Sequence, residues 1–251
     1  MPRKSVFDLY AHEYDLITNA SAREAYHAKE VQALIDRFQP TSVLDAGCAS
    51  GLTSALFARQ GIRTVGLDRA AGMITMAREK YSGSDLPLTF RRGDFEKLPR
   101  SMDGRFDLVV CLANSISGLT SRRDLQTAFI NFRRVLKPGG RLVVQALNYE
   151  AIKEGEIFPI KATENDGILY LRYARRRGRT QEIHVVRLDM KKTPFSFEPF
   201  CHEFDNFTAT EVVRAAEKAR YNSIRKYASL YLDRRFGRKA RDLVLIARKR
   251  V

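Results

Sequence analysis

From about residue 43 to residue 144 the chain alternates short apolar runs with stretches of helical period, and this alternation restricts the fold more than any other feature. Val43-Leu44 leads into a glycine-containing turn, after which residues 53–59 read as a helix. Thr64-Val65-Gly66-Leu67 is a second run, followed by a second helix over 71–80. Leu88-Thr89-Phe90-Arg91 and the strongly apolar residues 106–112 give two further strands. Residues 125–136 have helical period, Lys137-Pro138-Gly139-Gly140 reads as a helix stop, and residues 141–146 form a fifth strand. Near-continuous apolar strands between helices imply a parallel sheet covered on both faces.

After Asn148 the pattern changes. Residues 168–174, 182–188 and 195–204 read as strands around a basic turn at 175–179, an antiparallel section. Thr208 with Glu211 three residues on is a capping-box pattern for a helix running to about Ala219. Residues 223–229 and 242–249 close the chain as two strands, while 6–16 and 22–38 read as helices before the first strand. With no repeat and no low-complexity linker, one domain is expected: a helical lid over 1–40, a core over 41–149, an antiparallel roof over 150–205, and a last helix and strands over 206–251.

Composition narrows the class. No run approaches the roughly 20 apolar residues of a membrane span, and Met1-Pro2-Arg3-Lys4-Ser5 is not followed by a signal-peptide core. Cys48, Cys111 and Cys201 lie far apart without a CxxC, which argues against a disulfide scaffold and a zinc site. A soluble, cytoplasmic protein is the expectation. The formal net charge of +15 gathers in residues 172–179 and 233–241. Such charge attracts anions generally and describes steering rather than function. A solvated hairpin tip and a basic loop are the simpler reading than a nucleic-acid surface.

The chemistry begins in the first strand-to-helix turn, Val43-Leu44-Asp45-Ala46-Gly47-Cys48-Ala49-Ser50-Gly51. Glycines there let a ligand approach the backbone, and the following helix N-terminus offers N–H groups. A GxGxxG dinucleotide turn would need glycine where Asp45 stands, and a pyrophosphate would be repelled by that carboxylate. A cationic ligand would be favoured. The second strand ends at Asp68, 21 residues after Gly47, where an acid can accept from both ribose hydroxyls or merely cap a helix. A nucleoside with a positive charge and no pyrophosphate describes S-adenosylmethionine.

At this point the sequence resembles the class I S-adenosylmethionine-dependent methyltransferases. The first turn is similar to their motif I, and Val65-Gly66-Leu67-Asp68 to their second motif. Arg92-Gly93-Asp94-Phe95-Glu96-Lys97-Leu98-Pro99 is similar to the third, and residues 106–112 and 136–142 complete the set. The resemblance runs from about Tyr10 to Asn148, with residues 240–247 similar to the family's last strand. It implies a Rossmann-like fold, a seven-stranded mostly parallel sheet with helices on both faces and an antiparallel β embellishment. It implies S-adenosyl-L-methionine as cofactor, with S-adenosyl-L-homocysteine as product. The cofactor residues implied are Asp45, Ala46, Gly47, Cys48, Gly51, Asp68, Arg69, Met73, Asp94, Phe95, Leu112 and Ala113. Tyr14 and Arg23 would close over the cofactor, Arg23 on its methionyl carboxylate or simply at the helix surface.

A narrower likeness is to the glycine and sarcosine N-methyltransferases, carried by Val110-Cys111-Leu112-Ala113-Asn114-Ser115, Ser117-Gly118-Leu119 and Asn148-Tyr149-Glu150. Their carboxylate-holding Arg falls where this chain has Leu147. Asn114 would lie beside the transferred methyl. Among four scattered histidines His202 is the best-placed base, although an amine acceptor needs only orientation while an oxygen acceptor needs a base. Asn114-Ser115-Ile116-Ser117 replaces the Asn/Asp-Pro-Pro-Tyr of nucleobase-amine enzymes, and no Pro-Cys nucleophile is present. The expected partner is a small-molecule methyl acceptor larger and less polar than glycine, facing Leu147 and a roof of Phe195, Phe197, Phe200 and Phe204, with Arg172 or Arg175 in reserve for a carboxylate. An RNA methyltransferase and a non-catalytic cofactor-binding protein are the competing readings. No membrane partner is implied, and no oligomeric state follows.

Overall fold

The computed structural model describes residues 11–250. Residues 1–5, and the 6–10 part of the first expected helix, lie outside the described residues. Two helices, α1 (Tyr14–Thr18) and α2 (Ala20–Phe38), precede β1 (Ser42–Ala46). Then come α3 (Leu52–Ala58), β2 (Arg63–Asp68), α4 (Ala71–Lys80), β3 (Leu88–Arg92), β4 (Phe106–Cys111), α5 (Arg122–Val135) and β5 (Leu136–Leu147). A meander of β6 (Ile157–Asn165), β7 (Ile168–Arg177), β8 (Thr180–Asp189) and β9 (Ser196–Asp205) follows, and α6 (Ala209–Lys218), β10 (Asn222–Tyr227) and β11 (Asp242–Arg248) end the chain.

The main sheet has seven strands in the order β10-β11-β5-β4-β1-β2-β3. β1 to β5 pair in parallel, while β11 is antiparallel to both β5 and β10. Apolar character is near-continuous because alternate residues serve two helix layers. Val43, Leu108, Val110, Val143 and Val244 pack with Val31 and Leu34 of α2 and Leu56 and Phe57 of α3. Leu44, Val109, Cys111, Val144 and Leu245 pack with Phe129 and Phe132 of α5 and Val212 of α6. The capping box at Thr208 forms, with Glu211 N–H donating to Thr208 Oγ1 and Thr208 N–H donating to Glu211.

Three expectations need revision. The Lys137-Pro138-Gly139-Gly140 segment ends α5 but does not remain a loop. It runs extended into β5 and pairs with the chain end, Gly139 N–H donating to Lys249 O (3.2 Å) and Lys249 N–H to Gly140 O (2.8 Å). The antiparallel section has four strands and begins with β6, which the sequence reading left out. β6 is an edge strand with Pro159 beside a register shift, so the proline breaks the alternation that would have marked it. The basic turn is also tighter than expected, since residues 175–177 stay in β7 and the turn falls at Gly178, where φ is +56°.

The second sheet is tied down at two places. Arg187 of β8 donates to both carboxylate oxygens of Glu13 at 3.2 Å, while Ile17 of α1 packs on Tyr170 and Val185. Arg176 donates to the carbonyls of Tyr149 (2.8 Å) and Ile152 (2.5 Å) just after β5. These ties hold one face of the sheet over the C-terminal ends of the parallel strands, where ligands of open α/β sheets bind.

Candidate active site

A cavity of about 1010 Å³ opens there. Its walls are the ends of β1, β2, β4 and β5, the helices α1 and α2, and the inner face of the second sheet. Of the residues expected from sequence, Tyr14, Arg23, Asp45, Gly47, Cys48, Asp68, Arg69, Met73, Asp94, Phe95, Leu112, Ala113, Asn114 and His202 all line it. Ala46 and Gly51 do not. Ala46 is fully buried among the core side chains. Gly51 lacks a side chain because Phe90 fills that space: a Cβ there would sit 2.5 Å from Phe90 Cζ, at a φ of +85°. Gly51 therefore serves the core rather than the cavity.

Gly47 has the opposite surroundings. Its φ is +86°, and a Cβ would stand 2.6 Å from the Ser115 side chain and 3.3 Å from Phe95 Cζ, at the cavity wall. The turn is pinned from β2: Gly47 N–H donates to Leu67 O (2.7 Å) and Ala49 N–H to Asp68 Oδ2 (2.9 Å). The other Asp68 oxygen accepts from Ala70 N–H at 2.9 Å. Asp68 thus braces the turn and the residue that precedes α4, and its carboxylate keeps acceptor capacity for a ligand. Burial pushes its carboxyl up, with the backbone N–H bonds opposing.

Asp45 is 2% exposed and accepts from Ser54 Oγ at 2.6 Å. Burial, reinforced by the Asp68 charge and opposed by Ser54, pushes its pKa up to about 7. Burial also pushes the thiols of Cys48 and Cys111 well up, so neither is a ready nucleophile.

After β4 the backbone takes two successive left-handed residues, Ala113 (φ +50°) and Asn114 (φ +66°), a costly conformation for non-glycine residues. It is held from β5, with Ala113 N–H donating to Gln145 Oε1 (3.2 Å) and Asn114 N–H to Gln145 O (3.2 Å). The Asn114 amide is committed as well. Nδ2 donates to Ser117 Oγ (3.0 Å) and Tyr149 Oη (2.6 Å), and Oδ1 accepts from Leu147 N–H (3.0 Å). Both amide protons are engaged, so the expectation of a catalytic Asn114 becomes one of a positioning residue.

Arg23 sits at the cavity beside Tyr14, whose phenol burial pushes up and Arg23 partly restores. Arg23 Nε donates to His27 Nε2 (3.3 Å), and His27 Nδ1 meets Glu30 Oε2 (3.0 Å), with Glu30 3% exposed. A guanidinium only donates, so His27 Nε2 accepts and the ring proton faces Glu30. Sequence reasoning treated His27 as one scattered histidine; its i−4 and i+3 partners were the available signal. Arg172 of β7 also lines the cavity, while Arg175 is exposed and off it, which settles which of the two reserve arginines faces the site.

His202 lines the cavity with its ring edge-on to Phe204 at 4.4 Å. Burial, with a contribution from the Arg69 cation, pushes its pKa down, favouring the neutral base. Only half of the expected phenylalanine roof is present. Phe200 and Phe204 line the cavity, whereas Phe197 points to the other face of β9 and Phe195 precedes the strand, both more than 60% exposed. Lys239 and Arg241 of the second basic cluster reach the cavity wall. In the first cluster Arg177 pairs with Glu182 (2.9 Å) and Arg179 with Glu211 (3.1 Å). Among the described residues no group of three His, Cys, Asp or Glu could hold a metal ion, and no helix is long and apolar enough to cross a membrane.

Residues 43–140, which carry this turn and the strands around it, match the model of a methyltransferase domain. Over these residues, somewhat less than half of its length, the chain is similar to a methyltransferase domain. It is 33% identical over 144 residues to a demethylmenaquinone methyltransferase of Thermobifida fusca, covering 56% of this chain and 58% of that one. It is 28% identical over 146 residues to a glycine/sarcosine N-methyltransferase of Parasynechococcus marenigrum, covering 58% and 52%. The chain thus spans a little over half the length of these two curated relatives. In fold it is similar to CalS10, an amino pentose methyltransferase of Micromonospora echinaspora solved with S-adenosylmethionine bound. The TM-score is 0.73 at 20% identity, over 93% of this chain and 96% of that one.

Proposed function

We propose that the chain transfers a methyl group from S-adenosylmethionine to a nitrogen or oxygen of a small-molecule acceptor. The observation that carries this reading is one cavity with buried carboxylates and the glycine turn at one end and a largely apolar sheet face at the other. The donor set fits the cofactor. Asp68 keeps lone pairs for the ribose hydroxyls, Asp94 stands at the adenine side, and Asp45 offers a carboxylate to the cationic methionyl end. Arg23, held by His27, takes its carboxylate. The bound cofactor supplies an electrophilic methyl on a sulfonium.

This chain's residues then orient the acceptor. Asn114 and Gln145 fix the strained turn after β4 beside the reacting atoms, and the lid and second sheet exclude water. With the cofactor bound, the acceptor lone pair would take the methyl carbon and the sulfur–carbon electrons would return to sulfur. An amine acceptor releases its proton to solvent; for a hydroxyl acceptor the neutral His202 accepts it.

Replacing Gly47 by Val is expected to abolish cofactor binding while the circular-dichroism spectrum of the fold is retained, because the new side chain enters the cavity wall against Ser115 and Phe95. A titration with S-adenosylhomocysteine checks it; retained binding contradicts this placement of the turn.

Leu147 lines the cavity where the glycine-methylating relatives present an Arg. Arg172, the cavity arginine of β7, lies on the second sheet rather than on β5, so a free amino acid whose carboxylate is buried against Leu147 would lack a paired cation there, at a cost of several kcal/mol. Glycine is therefore expected to turn over at least about 100-fold less efficiently than an amine on a larger, less polar body, since about 2.7 kcal/mol gives that factor. Leu147→Arg is expected to narrow the gap. Efficient glycine methylation by the wild type contradicts this reading.

Of the first basic cluster, Arg176 is committed to the carbonyls of Tyr149 and Ile152, while the cavity supports the small-molecule reading.

A further inference from the structure

The inner face of the second sheet carries a polar group with nothing to bind. Strand register sets Gln181 of β8 between Arg176 of β7 and Phe204 of β9. Gln181 lines the cavity and is 1% exposed, yet neither Oε1 nor Nε2 has a hydrogen-bond partner. Neither cross-strand partner bonds it. Arg176 Nη1 is taken by the carbonyls of Tyr149 and Ile152, and Phe204 offers only a ring. A buried carboxamide with donor and acceptor both unused destabilises the fold, and native structures keep few such groups. One at the wall of a ligand cavity is completed by the ligand.

Besides Arg172 and His202, this face presents an apolar strip to the cavity. Ile183 and Val185 follow Gln181 at the period of two, and Phe200 lies across from Val185. We propose that Gln181 is a specificity residue of the acceptor site, and that the acceptor is a hydroxylated cyclic amine. One hydroxyl donates to Gln181 Oε1, an adjacent hydroxyl accepts from Nε2, and the ring's carbon face lies on Ile183, Val185 and Phe200. The paired geometry calls for neighbouring hydroxyls, because a primary amide presents its donor and acceptor side by side. This proposal rests on the methyltransferase reading and deepens it by naming the substrate class.

The test compares 3-aminocyclohexane-1,2-diol with cyclohexylamine, which has the same ring and amine without the hydroxyls. Wild-type kcat/KM is expected to favour the diol by about 100-fold or more, as a site built to hydrogen-bond a hydroxyl rejects its deoxy analogue strongly. Gln181→Leu is expected to reduce that preference to about threefold, leave S-adenosylhomocysteine affinity unchanged, and keep or raise Tm because an unpaired amide gives way to an apolar side chain. A lowered Tm or failure to fold in Gln181→Leu overturns the proposal, since the amide would then be structural. So does a wild type indifferent to the hydroxyls, a folded variant that keeps the preference, or a wild type that binds S-adenosylhomocysteine but methylates neither amine. Failure of the wild type to bind S-adenosylhomocysteine sinks the underlying reading instead.

Discussion

Asp45→Asn is expected to make the protein more stable at pH 8 and to weaken its hold on the cofactor. Folded Asp45 titrates near 7 against an ordinary 3.8, because burial disfavours its charge. Between those values the folded state holds the extra proton. The group's contribution therefore favours folding below about pH 3.8 and is lost as pH rises through 7. The difference amounts to roughly 4 kcal/mol at pH 8. Asn keeps an oxygen for the Ser54 hydroxyl and carries no charge, so the variant should unfold at higher urea at pH 8, with the gap closing toward pH 4. Cofactor affinity should move the other way. A cationic ligand needs the ionised carboxylate, so wild-type affinity should fall by up to tenfold per pH unit below about 7. The variant should bind weakly and without that slope. Urea melts and calorimetric titrations at pH 5.5, 7 and 8 check both halves; a destabilised variant, or one that binds as tightly as wild type at pH 8, contradicts the account.

Asp68→Ala carries the largest expected loss of affinity. It removes the two charge-assisted hydrogen bonds proposed to the ribose, each worth about 1.5–3 kcal/mol, which multiplies to at least a 100-fold rise in Kd. It also frees the N–H groups of Ala49 and Ala70, which Asp68 holds at 2.9 Å, so the turn itself loosens. Asp68→Asn separates the two effects. An amide retains one acceptor for the backbone but presents its donors to Ala70 or Ala49, so affinity should still fall steeply while Tm falls less than in the Ala variant. Unchanged affinity for S-adenosylhomocysteine in a folded Asp68→Ala protein contradicts the ribose assignment.

The parallel core and the end of the cavity proposed for the cofactor were legible in the sequence because both are local. Asp45, Gly47 and Asp68 lie at strand ends whose apolar runs mark themselves, and a strand end fixes where its next residue points. The acceptor end was less legible because it depends on register between strands far apart in sequence. β8 was expected to begin at Glu182, whereas it begins at Thr180, so Gln181 fell outside the expected strand and its face was not assigned. Phe197 and Phe200 look equivalent in composition, yet three residues along a strand puts them on opposite faces. Lys239 and Arg241 looked like surface charge because nothing local records that β11 pairs with β5 and brings the preceding loop to the cavity. Gly51 was misassigned for a related reason, since the Phe90 ring that requires it comes from β3.

The central claim is tested most directly by incubating the purified protein with S-adenosylmethionine and separate panels of cyclic amines, amino acids, phenols and RNA, and quantifying S-adenosylhomocysteine and methylated acceptor together. The account predicts equal amounts of both products with a cyclic amine, at a rate that changes little as salt is raised. Absence of S-adenosylhomocysteine with every small molecule would contradict it, as would release with RNA alone at a rate falling steeply with ionic strength.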